Sequence, residues 1–319
     1  MPATFGGWTA CMPAASLIWS VVLTWNNFAD TDECLRSLVA QTHPNHRILV
    51  VDNGSTDGSA ERLRQAWQGQ VDFIAAETNL GCGGGYALGM RRALDLGANY
   101  VAIIDNDVAA APELLACLLK PFAGPGKVGL TAPIMTYYDD PERVWFAGGS
   151  YHQLLGYTRH PGMERPLSRL RDLIGSVRGI DYAPSCAVLI SRRAIEDIGV
   201  PDERFFFGHD DVDWCLRARD KGYLRLLVGQ PLARHKVSTT GGKRGSTVFT
   251  PFSAYHHAAG SMLIGAKHAA GLRLLPYLFG QLFLRFPYYS LSMLRAGRLT
   301  GPLAYLRGLI AGTRYLVHP

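Results

Sequence analysis

The triplet Asp105-Asn106-Asp107 closes an apolar run, YVAIIDND, and sets two carboxylates two residues apart directly after a segment of strand composition. Hard divalent cations take oxygen ligands, and Mg²⁺ in particular combines one or two carboxylates with substrate phosphates and water. A diphosphate bridged by such an ion leaves more readily, because the metal absorbs the developing negative charge. Asp and Asn are also ordinary turn residues, so the triplet alone admits a turn as readily as a metal site. His235 follows a predicted strand at 223–228 and could complete a metal set with these carboxylates. A single histidine is more often structural.

A second pair of acids stands in FFFGHDDVDWCLR, where Asp210 and Asp211 open a predicted short helix that ends near Gly222. Acids in a first helical turn are stabilised by the dipole and need no further reason to be there. The chemical alternative is a general base, because two adjacent acids beside an aromatic wall can have their proton affinities pushed apart. Asp52, in the turn DNGSTDGS, could accept a hydrogen bond from a nucleobase N–H or simply close the turn. Asn79-Leu80-Gly81 leads through Gly83, Gly84 and Gly85 into a predicted helix carrying Ala87, Leu88, Arg91 and Leu94. Glycines allow a backbone to approach a phosphate or sugar, although the spacing is neither GxGxxG nor a P-loop.

The elements that must position these groups are legible as a β/α alternation. Residues 17–24, 47–52, 71–75 and 100–105 are short apolar, β-branched runs that predict buried strands. Asp30 and Thr31 predict a helix start ahead of Leu35, Leu38 and Val39. A second helix runs through Leu63 and Trp67, and Pro112 suits the first turn of a third. Such an alternation implies a mostly parallel sheet covered on both faces. Ligands then gather at the carboxyl ends of the strands. The polar residues there are Thr24 and Asn26, then Asp52, then the Asp105 triplet.

Composition and charge narrow the class. With 48% hydrophobic and 18% charged residues the chain can bury a core, which excludes disorder and collagen-like repeats. Six scattered cysteines without a CxxC pair suit a reducing compartment. No Lys or Arg precedes Arg36, so a charged export region is not expected, and residues 1–15 read as a flexible tail. The net charge of +6 is unevenly placed, since no Asp or Glu follows Asp220 while 13 Lys/Arg do. The apolar stretch 272–294 is broken by Arg273 and Arg285, which leave 11 residues between them, short of the ~20 that a bilayer span needs. Apolar surface mixed with arginines and aromatics predicts an in-plane membrane-surface segment, with a helical cap packed on the main domain as the alternative. A nucleic-acid partner is not expected, because the Leu and Phe residues would face phosphates.

In combination, the order TWNN, DNGSTDGS, NLGCGGG, strand-DND and FFFGHDDVDWCLR…GY resembles the inverting glycosyltransferases of family two, from about residue 16 to His235. The wording VVDNGSTDGS and DDVDWCLR is most similar to the rhamnosyltransferase branch of bacterial surface-polysaccharide enzymes. The resemblance implies a GT-A fold, a Rossmann-like α/β sheet, to which the composition adds a basic apolar helical extension. Together they divide the chain into the tail 1–15, a catalytic domain 16–248 (nucleotide part 16–110, acceptor part 111–248) and a membrane-associating extension 249–319.

The resemblance further implies that Asp52, Thr24 and Asn26 line the nucleotide pocket, with Asn79 and Gly81 beside it. Asp105 and Asn106 would serve the donor, and Asp107 with His235 would hold Mg²⁺ or Mn²⁺. Asp211 matches the base, with Asp210 standing where the family has Glu, and residues 182–187 fall at the acceptor wall. The implied donor is a nucleoside-diphosphate sugar, dTDP-rhamnose first and UDP-sugars next. The implied acceptor is a glycan or polyisoprenoid-linked glycan, and the location the cytoplasmic face of the cell membrane. Two rivals are a sugar-nucleotide pyrophosphorylase, which should carry an Arg-containing glycine loop after the first strand, and a non-catalytic scaffold, which should have an eroded carboxylate set.

Overall fold

The structure, a computed structural model, describes residues 16–237, 249–269 and 271–317. The expected tail 1–15 and residues 238–248 at the expected domain boundary lie outside the described residues. The first half runs β1 (Ile18–Thr24), α1 (Phe28–Val39), β2 (His46–Asp52), α2 (Ser59–Ala66), β3 (Asp72–Ala75), α3 (Gly81–Asp95), β4 (Tyr100–Asp105), β5 (Val108–Ala110) and α4 (Leu114–Leu119). After these come β6 (Val128–Tyr137), β7 (Val144–Phe146), a small hairpin of β8 (Ser150–His152) and β9 (Tyr157–Arg159), β10 (Val177–Gly179), β11 (Ala187–Ser191), α5 (Arg192–Ile198), α6 (Asp210–Asp220) and β12 (Leu224–His235). Helices α7 (Pro251–His268), α8 (Leu274–Phe279), α9 (Phe286–Arg295), α10 (Gly301–Gly312) and α11 (Arg314–Val317) complete the chain, a π-helical turn Gly280–Arg285 linking α8 to α9.

The main sheet is ordered β10-β12-β6-β11-β4-β1-β2-β3, with β5 on β12 and β7 on β6. Strands β4, β1, β2 and β3 are parallel, as the β/α alternation predicts. Beyond β4 the sheet is mixed, because β11 enters antiparallel between β4 and β6. The register pairs Thr24 with Asp52 and Leu23 with Asp105, so three strands end on one level. Their interiors are apolar on both faces, with Val21, Val22, Leu49, Val50, Ile103 and Ile104 all buried. That double burial is the reason these strands read as unbroken apolar runs.

Three local expectations change. Helix α1 starts earlier than Asp30: the Asn27 side chain caps it by accepting from the Asp30 N–H, so Asp30 lies in the first turn. The glycines before Ala87 belong to α3 itself rather than to a loop. A Cβ at Gly85 would stand 2.4 Å from Leu23 Cδ1, and one at Gly89 2.3 Å from Val21 Cγ1, so glycine is what lets α3 lie against the sheet. Strand β12 runs on to His235 instead of ending at 228. Its register shifts between Val228 and Pro231 and between Pro231 and Ala233 absorb a proline that otherwise reads as a break.

The C-terminal helices have a packed face and an exposed apolar face. One face is packed: Ala254, Ala258, Met262, Met293, Tyr305 and Leu309 form a second cluster. Lys267 reaches Asp202 at 2.6 Å and Asp213 at 2.8 Å, and Gln281 donates to the carbonyls of Leu155 and Gly156. The other face leaves Leu272, Leu275, Phe283, Tyr288, Leu299 and Ile310 exposed, Leu272 at 85%. No helix among the described residues is long and apolar enough to cross a membrane.

Candidate active site

The aligned strand ends open on a cleft of about 340 Å³. Its floor holds Thr24 from β1, Asp105 from β4 and the following Asn106 and Asp107; Asn79 and Gly81 come from the start of α3, and His235 from the end of β12. Seven of the residues singled out in the sequence are thus brought to one cavity. Beneath them, Thr24 Oγ1 and Thr31 Oγ1 are 2.8 Å apart, and Asn106 Nδ2 donates to Thr31 Oγ1 at 3.1 Å. This chain of small polar groups ties the tip of β4 to α1.

Asp107 is buried and its Oδ1 lies 3.0 Å from His235 Nε2. Burial works against a charge on His235, but the carboxylates of Asp107 and Asp105 outweigh it and hold the imidazolium above the usual histidine range. The other ring nitrogen, Nδ1, is buried and has no hydrogen-bond partner. Burial, and then the Asp107 charge, push Asp105 up, while the Tyr86 hydroxyl donates to its Oδ1. Once a cation displaces the imidazolium proton, the open ring nitrogen of His235 and the Asp105 carboxylate belong to a donor set that fits a divalent ion.

Asn26 and Asp52 do not line the cleft. Asn26 sits at φ +50°, its Oδ1 accepting from the Thr56 N–H and its own N–H donating to Ser55 Oγ. Asp52 Oδ1 accepts from the Ser55 N–H at 3.1 Å. Both side chains therefore pin the 52–58 turn beside the strand ends. The neighbouring Asn53 lines the cleft instead, donating through Nδ2 to Asn79 Oδ1 and the Gly81 carbonyl, and accepting from the Leu80 N–H. Nothing but its place after Asp52 at a strand end marks it in the sequence.

The first N–H groups of α3 are occupied as well. Cys82 and Gly83 donate to the carbonyls of Phe206 and Phe205, and a Cβ at Gly81, φ +72°, would lie 2.3 Å from the Phe206 oxygen. Of these glycines Gly81 alone lines the cleft; the others serve packing.

Asp210 and Asp211 stand behind the cleft at the start of α6, around a void of about 10 Å³ with Ser185 and Trp214. Ser185 Oγ donates to Asp210 Oδ2 at 3.3 Å. Burial, with Asp105 adding repulsion, pushes Asp210 up to about 6. Burial and then the Asp210 charge raise Asp211 well above the carboxylate range. Asp210 is buried and Asp211 only half-buried, so Asp211 is the more accessible of the pair. Phe206, Phe207, Phe249 and Phe252 form an aromatic wall of the cleft, Phe206 and Phe252 meeting edge to face at 5.7 Å. The last two come from the far side of the chain, and no local pattern announces them.

A nucleotide-sized cleft at the carboxyl ends of a parallel sheet, floored by paired carboxylates, belongs to the GT-A class of fold. The mannosyltransferase PcManGT from Pyrobaculum calidifontis, solved with GDP-Man and Mn²⁺, shares that fold at TM-score 0.54 and 16% identity, over 98% of this chain and 90% of its own. The chain belongs to glycosyl transferase family 2, whose model matches residues 20–199. Among its relatives, galactofuranosyltransferase GlfT1 of Mycobacterium tuberculosis is 29% identical over 206 residues, 63% of this chain and 64% of the relative. The N-acetylglucosaminyl-diphospho-decaprenol L-rhamnosyltransferase of the same organism is 26% identical over 301 residues, 87% of this chain and 94% of the relative. The chain spans about 64% of the length of GlfT1, and its family is one of glycosyl transferases rather than of pyrophosphorylases.

Proposed function

We propose that this glycosyltransferase moves rhamnose, with inversion, from dTDP-rhamnose to a hydroxyl of a polyisoprenoid-linked glycan at the cytoplasmic face of the membrane. The observation that carries the reading is the gathering of Asp105, Asp107 and His235 on one cleft, with the half-buried Asp211 behind them. The near full-length match to a decaprenol-linked rhamnosyltransferase supports this sugar and this acceptor class. The GlfT1 match favours a second reading, a UDP-linked galactofuranosyl donor, over a shorter stretch.

In this reading Thr24, Asn53, Asn79 and Gly81 seat the donor nucleotide, and Asn26 and Asp52 shape the turn beside it. Asp105 and His235 would hold Mg²⁺ or Mn²⁺, with Asp107 orienting the His235 imidazole through Nε2, and the ion would neutralise charge on the departing diphosphate. The acceptor hydroxyl enters past the wall at 182–187. Its proton passes to the Asp211 carboxylate as its oxygen bonds the anomeric carbon, and the carbon–diphosphate bond breaks on the opposite face. Burial that raises the proton affinity of Asp211 makes it a stronger base than a solvated carboxylate. Residues 16–248 form the catalytic unit, and the exposed apolar face with Arg273, Arg295 and Arg307 rests on anionic lipid.

The test is transfer from dTDP-rhamnose and from UDP-linked sugars to a synthetic polyprenyl-diphospho-glycan, with wild type and Asp211→Asn. Transfer from dTDP-rhamnose, reduced about 10²–10⁴-fold in kcat in the variant with donor binding retained, is expected. A fully active Asp211→Asn removes Asp211 as the base, and transfer from a UDP-sugar alone overturns rhamnose.

A further inference from the structure

We propose that Cys186 is a third protein ligand of the divalent cation, beside Asp105 and His235, and that its sulfur turns the site from Mg²⁺ towards borderline ions such as Co²⁺ and Zn²⁺. The inference rests on the metal reading given above. Cys186 Sγ, an Asp105 carboxylate oxygen and a His235 ring nitrogen all lie within 4.8 Å of one another. Among the described residues this is the one group of three or more such donors.

Three separate elements hold the group together. The Asp105 N–H donates to the Cys186 carbonyl at 2.8 Å, continuing the antiparallel pairing in which Ala187 faces Ile104. This fixes Cys186 beside the tip of β4, with its sulfur near the Asp105 carboxylate. His235 arrives from the end of β12, only 7% exposed, with Nδ1 unpartnered. Its Nε2 is taken by Asp107, the arrangement in which a carboxylate orients a metal-ligating imidazole through the far ring nitrogen. The edge of the Trp145 ring, centroids 4.3 Å apart, closes the other side of the imidazole.

A carboxylate, an imidazole and a thiol are donors of graded softness. Oxygen ligands alone suit Mg²⁺, while sulfur adds affinity for Co²⁺ and Zn²⁺ and none for Mg²⁺. Binding is a simple exchange: the sulfur–metal bond forms, the thiol proton leaves to solvent, and no electron is transferred. A purely structural role asks only for a small buried side chain, and would make no use of an open imidazole nitrogen at the same point.

The experiment is a Co²⁺ titration of the full chain in the presence of dTDP or UDP, followed by calorimetry and by near-ultraviolet absorbance. Wild type should show Co²⁺ uptake with a thiolate-to-cobalt charge-transfer band. Cys186→Ser should lose the band while still binding Co²⁺ more weakly, and its preference for Zn²⁺ over Mg²⁺ should shrink. Cys82→Ser, which alters a thiol lining the cleft, and Cys34→Ser, which alters the thiol on the Asp105 carbonyl, should both keep the band. Co²⁺ uptake without a band, or a band that survives in Cys186→Ser, overturns Cys186 as a ligand and leaves the metal reading intact. No Co²⁺ uptake by wild type removes the metal reading and this proposal together.

Discussion

Replacing Asp210 with Asn should make the protein more stable at neutral pH, and by an amount that depends on pH. The Asp210 carboxyl titrates near 6 in the folded chain, against 3.8 for a free aspartate, because burial and the Asp105 charge disfavour its ionised form. Its folded proton affinity is raised, so between pH 4 and pH 6 the native state holds a proton that the unfolded chain has lost. Stability therefore falls as pH rises through that window, and the whole cost is present above pH 6. A shift of this size corresponds to about 3 kcal/mol at 1.36 kcal/mol per pH unit. Asn keeps an oxygen to accept from Ser185 but gives up a favourable charge in the first turn of α6, worth about 0.3–1 kcal/mol. Asp210→Asn should thus gain about 2–3 kcal/mol at pH 7.5 and nothing at pH 4. Urea unfolding of both proteins at the two pH values measures it. An equal offset at both, or a less stable variant at pH 7.5, would falsify the claim that Asp210 is a destabilising buried acid.

Three further outcomes follow from packing and charge. Gly89→Ala should cost about 1–2 kcal/mol despite alanine's better helix propensity, since its Cβ would meet Val21 and Val51 at 2.3 and 2.8 Å; unchanged urea stability would show that α3 can slide. Lys267→Met should destabilise the chain by about 2–3 kcal/mol, because Asp202 and the fully buried Asp213 lose their shared ammonium while Asp213 keeps Arg217 and His268. Resistance of α7–α11 to limited proteolysis should drop with it, and unaltered digestion would argue that Lys267 does not clamp the helices. Neutralising Arg273, Arg295 and Arg307 to Gln should weaken sedimentation with phosphatidylglycerol vesicles by roughly a hundredfold, at about 1 kcal/mol per arginine. Equal binding by the variant and wild type removes electrostatic docking of this face.

Much of the catalytic half was legible because its signals are local. Strands β1, β2 and β4 are buried on both faces, so each is an apolar run, and the level at which they stop is marked by Thr24, Asp52 and Asp105. The sequence by itself therefore determined the β/α order, the carboxylate floor and the acid pair that opens α6. Its combined motifs also carried the family. What tertiary structure decided are matters of distance between segments far apart in the chain. Asp52 turned into its own loop and left Asn53 to face the cleft, a choice made by the Ser55 and Leu80 N–H groups. The glycines of α3 answered to Leu23, Val21 and the carbonyls at 205 and 206, none of which a one-dimensional spacing can name. Phe249 and Phe252 reached the cleft from the start of α7, and Cys186 reached Asp105 and His235 because β11 and β12 bring these segments together. Side-chain type and period are written along the chain; which partner meets them is set by how the sheet is ordered, and that order is a property of the whole fold.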